Sequence, residues 1–231
     1  MEKIRKNETE TGFTISLEDY VKLNIDEKKV FCCEFCYRSN LIEGIRTPYI
    51  ETVTVGEIQE KKPELDDHYS AFNFMLENFN KVLEEKDIRK MHFLLMRNLL
   101  RNPEKNAGEY RKCKIWVGGK GGPHHGQIPR LMKNLESDIK IIETRQPHED
   151  IWRIHNKFET IHPFVDGNGR TGRLILNWLS LKHLNEFNII ELPKRDKYYQ
   201  TIRSYKEEFK KNNPKVRFYQ DRKFKPMLYY F

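Results

Sequence analysis

Long apolar runs are missing from these 231 residues, and no stretch reaches the length a membrane-spanning helix needs. The opening MEKIRKNETETG carries charge with no apolar stretch behind it, which argues against a secretory leader. Cysteine is scarce: four residues, Cys32, Cys33, Cys36 and Cys113. Cys33 and Cys36 have redox or zinc spacing, but no second Cys/His pair stands at finger-like distance. They also fit one face of a helix, so reduced and mostly buried thiols are expected, in keeping with a cytoplasmic protein. Repeats and Ser- or Pro-rich linkers are absent. Nor does one sign of charge dominate: 42 Lys and Arg stand against 34 Asp and Glu, a net +8. The basic residues are scattered among acidic ones, apart from Lys-rich stretches after Glu207, as on a solvated surface. Neither a membrane nor a nucleic acid is an expected partner.

What is present reads mostly as helix. Phe72, Met75, Leu76, Phe79, Val82 and Leu83 recur at helical spacing. So do Ile88, Met91, Leu94, Leu95 and Leu99, with Asp87 as the expected N-cap. Ile128, Leu131, Met132, Leu135 and Ile139 predict a third helix, and Ile151, Ile154, Phe158 and Ile161 a fourth. Leu174, Ile175, Leu176, Trp178, Leu179 and Leu181 are apolar nearly all round, as in the buried centre of a bundle. Gly108–Val117 instead alternates like a strand and ends in a Gly-rich turn at 118–123. The expected fold is therefore mainly α, a helical bundle with a short β-hairpin flap. Residues 1 to about 30 are weakly patterned and expected to be loosely attached.

Chemistry concentrates in His162-Pro-Phe-Val-Asp-Gly-Asn-Gly-Arg-Thr-Gly-Arg173. Gly167 and Gly169 permit unusual dihedrals and close backbone approach. The buried helix starts beside Arg170 and Arg173, and helix N–H groups flanked by arginines make a phosphate site. Asp166 next to phosphates suggests Mg²⁺, and His162 is the natural general base.

This string resembles, position for position, the signature of Fic-domain proteins, His-Pro-Phe-x-Asp/Glu-Gly-Asn-Gly-Arg-x-x-Arg. Ala107-Gly108-x-x-Arg111, Ile115-Trp116-Val117 and His155-x-x-Phe-Glu-Thr-Ile-His162 also resemble the family, so the likeness covers about residues 60 to 205. It implies a Fic-type helical core at 61–209, an N-terminal extension at 1–60 and a basic, aromatic tail at 210–231, packed on the core or trailing it. It also implies transfer of AMP from ATP to a Ser, Thr or Tyr hydroxyl of a protein, and leaves self-modification and homo-oligomers open. The glycines at 167 and 169 favour nucleotidyl transfer over the phosphorylation of the related Doc kinases.

By resemblance, His162 would deprotonate the acceptor hydroxyl. Asp166 would hold Mg²⁺, with Mn²⁺ as an alternative. Asn168 and the backbone of Gly167 and Gly169 would cradle phosphate oxygens, Arg170 would steady phosphates and loop, and Arg173 would hold the γ-phosphate. Ile115, Trp116, Val117 and Gly118 would pair with an extended target segment. Tyr198 and Tyr199 fall either against the adenine or in the packing of a helix after Pro193. Upstream, Ser39-Asn-Leu-Ile-Glu43-Gly44 resembles the family's inhibitory motif, whose glutamate would pair with Arg173 and, in some members, supports removal of AMP. Two alternatives stay open: transfer of UMP, GMP or phosphocholine on the same fold, and a catalytically idle module that binds nucleic acid.

Overall fold

The computed structural model describes residues 6–45, 63–143 and 148–221. In chain order it contains β1 (Lys6–Glu8), β2 (Gly12–Ser16), α1 (Leu17–Val21), α2 (Ile25–Ile42), α3 (Pro63–Asn78), α4 (Glu85–Met96) and α5 (Pro103–Asn106). There follow β3 (Trp116–Val117), β4 (Lys120–Gly121), α6 (Ile128–Ile142), α7 (His148–Ile161), α8 (Asn168–Leu184), β5 (Glu186–Ile190) and α9 (Arg195–Asn212). The architecture is mainly helical, with two small antiparallel sheets, β1-β2-β5 and β3-β4. No described helix is long and apolar enough to cross a membrane.

The all-round apolar helix is α8, and it is the axis of the fold. Leu174, Ile175, Leu176, Trp178, Leu179 and Leu181 have no exposed surface, and α7, β5, α4, α3 and α2 pack around them. Polar groups fix its one sheet neighbour. Asn177 Nδ2 donates to Asn188 O (3.0 Å), Asn188 N donates to Asn177 Oδ1 (2.8 Å), and Asn188 Nδ2 donates to Ser180 Oγ (2.9 Å). Each buried polar atom in that set thus finds a partner, which stops the strand sliding along the helix.

The N-terminal residues depart from the expected loose attachment. β2 pairs antiparallel with β5, Ile15 facing Phe187, and both Phe13 and Ile15 are buried. The weak periodicity of this segment hides a strand only five residues long, too short to alternate visibly. Gly12 is required where β2 meets β5, because a Cβ would collide with the Ile189 carbonyl. Phe187 then meets Tyr20 and Phe31 at ring-centroid distances of 5.0 and 4.8 Å, and Phe35 lies 4.7 Å from Phe72. This aromatic cluster locks α2 to the sheet and to α3. Asn24 and Glu27 cap the start of α2 reciprocally, each side chain accepting from the other's backbone N–H at 2.9 Å. At the far end Gly44 adopts φ +79°, a left-handed helix stop.

Other boundaries differ in detail. α3 ends at Asn78, so Val82 and Leu83 lie beyond it, although Leu83 is buried. The N-cap of α4 is Glu84, and Asp87 sits one turn in, its Oδ2 accepting from Glu84 N at 3.1 Å. The strand expected over 108–117 is paired only at Trp116 and Val117. The tail continues α9 to Asn212 and then runs extended to 221; its last residues, 222–231, lie outside the described ones.

Ile15→Ala removes a fully buried side chain from β2 and should cost about 2–5 kcal/mol in urea or guanidinium unfolding. An unchanged midpoint would return the N-terminal segment to a loosely attached arm.

Candidate functional site

The site forms where α7 ends and α8 begins. His162 follows the last turn of α7 with φ +50°, a left-handed conformation that a non-glycine residue adopts only under constraint. The constraint is visible. His162 N donates to Phe158 O at 2.9 Å, and its carbonyl accepts from Arg111 Nε at 2.7 Å. Pro163 O accepts from Arg111 N at 2.9 Å. Arg111 is buried and also donates to Cys113 O (2.8 Å) and Pro123 O (2.9 Å). One guanidinium therefore ties both sides of the flap to the backbone of the candidate base.

The loop beyond is held from beneath. Phe164 is buried and stacks on His92, with centroids 3.7 Å apart and planes 8° from parallel. His92 Nδ1 accepts from Gly108 N (2.8 Å), so its proton lies on Nε2, which donates to Asp166 O (2.9 Å). Gly167 takes φ +73° as the N-cap of α8, and a Cβ there would come within 2.6 Å of Met96 Sδ. Asn168 is buried, with Oδ1 accepting from Phe164 N (2.9 Å) and Nδ2 donating to Phe164 O (3.0 Å). Its side chain thus braces the loop through the Phe164 backbone, with one amide N–H not used in these bonds. Asp166 is exposed, and its Oδ1 accepts from Gly167 N at 2.7 Å.

The first turn of α8 has N–H groups without intrahelical partners and the positive end of the helix dipole. Two arginines add to this field. Arg170 is buried, and its Nε and Nη1 find no partner among the described residues. Arg173, with 2% of its surface exposed, donates from Nε to Ser39 Oγ (2.8 Å) and from Nη2 to Ser39 O (2.8 Å) and Glu43 Oε1 (2.7 Å). The Glu43 carboxylate also lies against Gly169, where a Cβ would collide with it. It therefore sits over the helix N-terminus, in the place an anion would take. Burial pulls the Arg173 pKa down, but the Glu43 charge and hydrogen bond, together with Tyr198 and Glu159, outweigh this and leave it raised.

Of the two tyrosines, Tyr198 is fully buried, with its hydroxyl between His155 Nε2 (3.0 Å) and Arg173 Nη1 (3.5 Å). It is a packing residue, which removes it from the adenine candidates. Tyr199 is half-buried, its hydroxyl donating to Ile42 O at 3.1 Å. His155 is a buried brace, with Nδ1 2.9 Å from Gly172 O. In the flap, Ile115 and Trp116 are half-buried, Val117 is exposed and Gly118 is left-handed.

Burial sets the protonation states. The His162 pKa is lowered to about 4, by desolvation and then by Arg111 against the pull of the Glu159 carbonyl, so the imidazole is neutral at pH 7. Its Nδ1 lies 3.3 Å from Glu159 O, and with the proton there Nε2 is left as an acceptor, the form a general base needs. Glu159 moves the other way, up to about 8, through burial and the Glu43 charge. It is a neutral acid at pH 7, packed against Gly172. No group of three or more potential metal ligands exists among the described residues. A single exposed carboxylate, Asp166, fits a Mg²⁺ ion held chiefly by phosphates and water.

Residues 82–180 match the profile of the Fic/DOC family. The chain carries a Fic domain. "Protein adenylyltransferase Fic" of Aedes aegypti is 34% identical over 141 residues, covering 60% of this chain and 28% of that protein. Its namesake in Drosophila grimshawi is 32% identical over 189 residues, covering 76% of this chain and 38% of that protein. The chain thus spans well under half the length of these relatives. A Fic-domain-containing signaling protein from Bacteroides thetaiotaomicron superposes with a TM-score of 0.66 at 21% identity, over 81% of this chain and 78% of that one. Fic-1 from C. elegans gives 0.65 at 21%, over 82% and 61%. Both show the same fold.

His92 and Glu159 escaped the sequence reading. His92 lies on the buried face of α4 with Ile88, Met91 and Leu95, where an apolar helix face gave the only signal.

The neutral histidines make stability depend on pH. His92, His155 and His162 are each lowered to about 4, and His68 well below its usual value, all chiefly by burial. An unfolded histidine binds its proton near pH 6.5, so between there and about 4 the unfolded chain holds more protons. Stability is then fully present above pH 6.5 and falls as pH drops. Glu159 acts oppositely between about pH 4.5 and 8, as one carboxyl against several imidazoles. The melting temperature should fall steadily from pH 7 to pH 5; a flat profile would mean that these rings are already charged in the fold.

Proposed function

We propose that the chain is a self-inhibited protein adenylyltransferase, moving AMP from ATP to a Ser, Thr or Tyr hydroxyl of a protein. The observation that carries this reading is the Glu43 carboxylate, which stands against Gly169 and Arg173 as a fixed anion in a site built for phosphate. The adenylyltransferases among its relatives support the choice of AMP.

In the reaction, the first-turn N–H groups of α8 and Arg170 hold phosphate oxygens, and Arg173 takes the γ-phosphate once Glu43 has left. Asp166 would hold Mg²⁺, which would neutralise part of the phosphate charge. Neutral His162 accepts the hydroxyl proton while the oxygen attacks the α-phosphorus. The bond to the β-phosphate bridging oxygen breaks, and pyrophosphate leaves. Because little covalent chemistry falls to the protein, positioning and charge stabilisation carry the rate. Tyr199 is the remaining aromatic candidate for the adenine. The flap delivers an extended target segment to His162, and self-modification uses the same chemistry. The Glu43 side chain is 30% exposed and could orient a water for the reverse removal of AMP.

Auto-modification with α-labelled ATP and Mg²⁺ tests the reading. Glu43→Gly should raise the rate about ten- to a hundredfold, the equivalent of a charge-assisted contact of about 1.5–3 kcal/mol. Adding Arg173→Ala should abolish the gain, and adding His162→Ala should cost about two to four powers of ten. Equal rates for wild type and Glu43→Gly would sink the brake, and full activity without His162 would sink the mechanism.

A further inference from the structure

After α9 the chain turns back and runs extended along the second arm of the flap. Tyr219 N donates to Gly122 O (2.9 Å), and His124 N donates to Arg217 O (2.8 Å). Phe218 stands opposite Pro123 in an antiparallel bridge. Trp116 Nε1 reaches Gln220 O at 3.0 Å. Asp221 is gripped twice, by Gly121 N (3.0 Å) and by Lys120 Nζ (3.0 Å). Gly121 is what permits the approach: a Cβ there would collide with the Tyr219 carbonyl.

The side chains have their own seats. Phe218 lies edge-on to Phe209 with Lys210 Nζ 5.3 Å from its ring. Tyr219 packs beside His124, 5.3 Å between centroids, and its hydroxyl is 2.6 Å from His125 Nδ1. These are the ingredients of strand addition: main-chain bonds for affinity, and alternate side-chain pockets for specificity. The seat is also close to the chemistry. Arg111 bonds both Pro123 O, opposite Phe218, and His162 O.

We propose that the second arm of the flap, residues 120–124, is a binding site for an extended segment of the pattern aromatic-Tyr-x-acid. Residues 217–221 hold this site in cis, and a protein acceptor of that pattern must displace them to reach His162. The acceptor half of this inference rests on the transferase reading; the binding half does not. Release of the tail would therefore be a second gate, separate from Glu43.

Binding is measured first and without nucleotide. The probe is a fluorescein-labelled peptide, Pro-Lys-Val-Arg-Phe-Tyr-Gln-Asp, matching residues 214–221. Against the full-length Phe218→Ala/Tyr219→Ala/Asp221→Ala protein it should bind at least about tenfold tighter than against wild type. Adding Gly121→Ala should abolish that gain, and a peptide with the same three alanines should not bind. Asp221→Lys alone, an exposed change that spares the core, should shift affinity in the same direction if the triple variant folds poorly. Equal binding to wild type and to both released variants would overturn the proposal, as would indifference to Gly121→Ala. In a Glu43→Gly background the peptide should slow labelling of protein acceptors without changing ATP affinity. Peptide binding with no such slowing would overturn the acceptor role, whereas absence of any labelling would count against the transferase reading instead.

Discussion

A guanidinium buried in a protein must find a counter-charge, because stripping water from an ion costs several kcal/mol. Arg173 is such a group, and the geometry at the head of α8 follows from its needs. Two of its contacts come from Ser39 and one from Glu43, all at the end of α2. The capping box, the aromatic cluster and the β2–β5 pairing hold α2 against the core and so help deliver that counter-charge to the helix N-terminus. A buried cation with a removable partner is a poor stabilising device and a good switch. If the carboxylate withdraws, another anion must replace it, and a polyphosphate fits the surrounding field.

The second organising group is also an arginine. Arg111 satisfies backbone carbonyls at 113, 123 and 162, which belong to the flap and to the turn that carries His162. It helps hold His162 in its left-handed conformation, and its charge adds to the burial that chiefly lowers the pKa of the ring. The stacked pair of His92 and Phe164 supports the same loop from α4. The reacting end of the site is thus built on buried elements rather than on the loop alone, which is how a short loop can be precise.

Much of this was legible in the sequence because it is local. The twelve residues from His162 to Arg173 form a continuous turn and helix start, and the largely apolar stretch at 174–181 named its own place at the centre. Ser39 and Glu43 were legible as a motif, one helical turn apart. What escaped depends on distant partners. Phe13 and Ile15 gain their meaning only from β5, far along the chain, and Gly12 only from Ile189. That Asn168 braces the loop shows only in its two bonds to the Phe164 backbone. Tyr198 and Tyr199 are neighbours of identical type, and only their orientation on α9 separates core from rim. Nothing in the order of residues announces that the tail returns to the flap.

The central claim is that Glu43 occupies the seat of the γ-phosphate. The ratio of ADP to ATP dissociation constants, measured by titration calorimetry with Mg²⁺, tests it most directly. The account predicts that the wild type scarcely distinguishes the two nucleotides, whereas Glu43→Gly prefers ATP by about tenfold, the value of one freed charge-assisted contact. The same ratio in both proteins would place the γ-phosphate elsewhere and contradict the account.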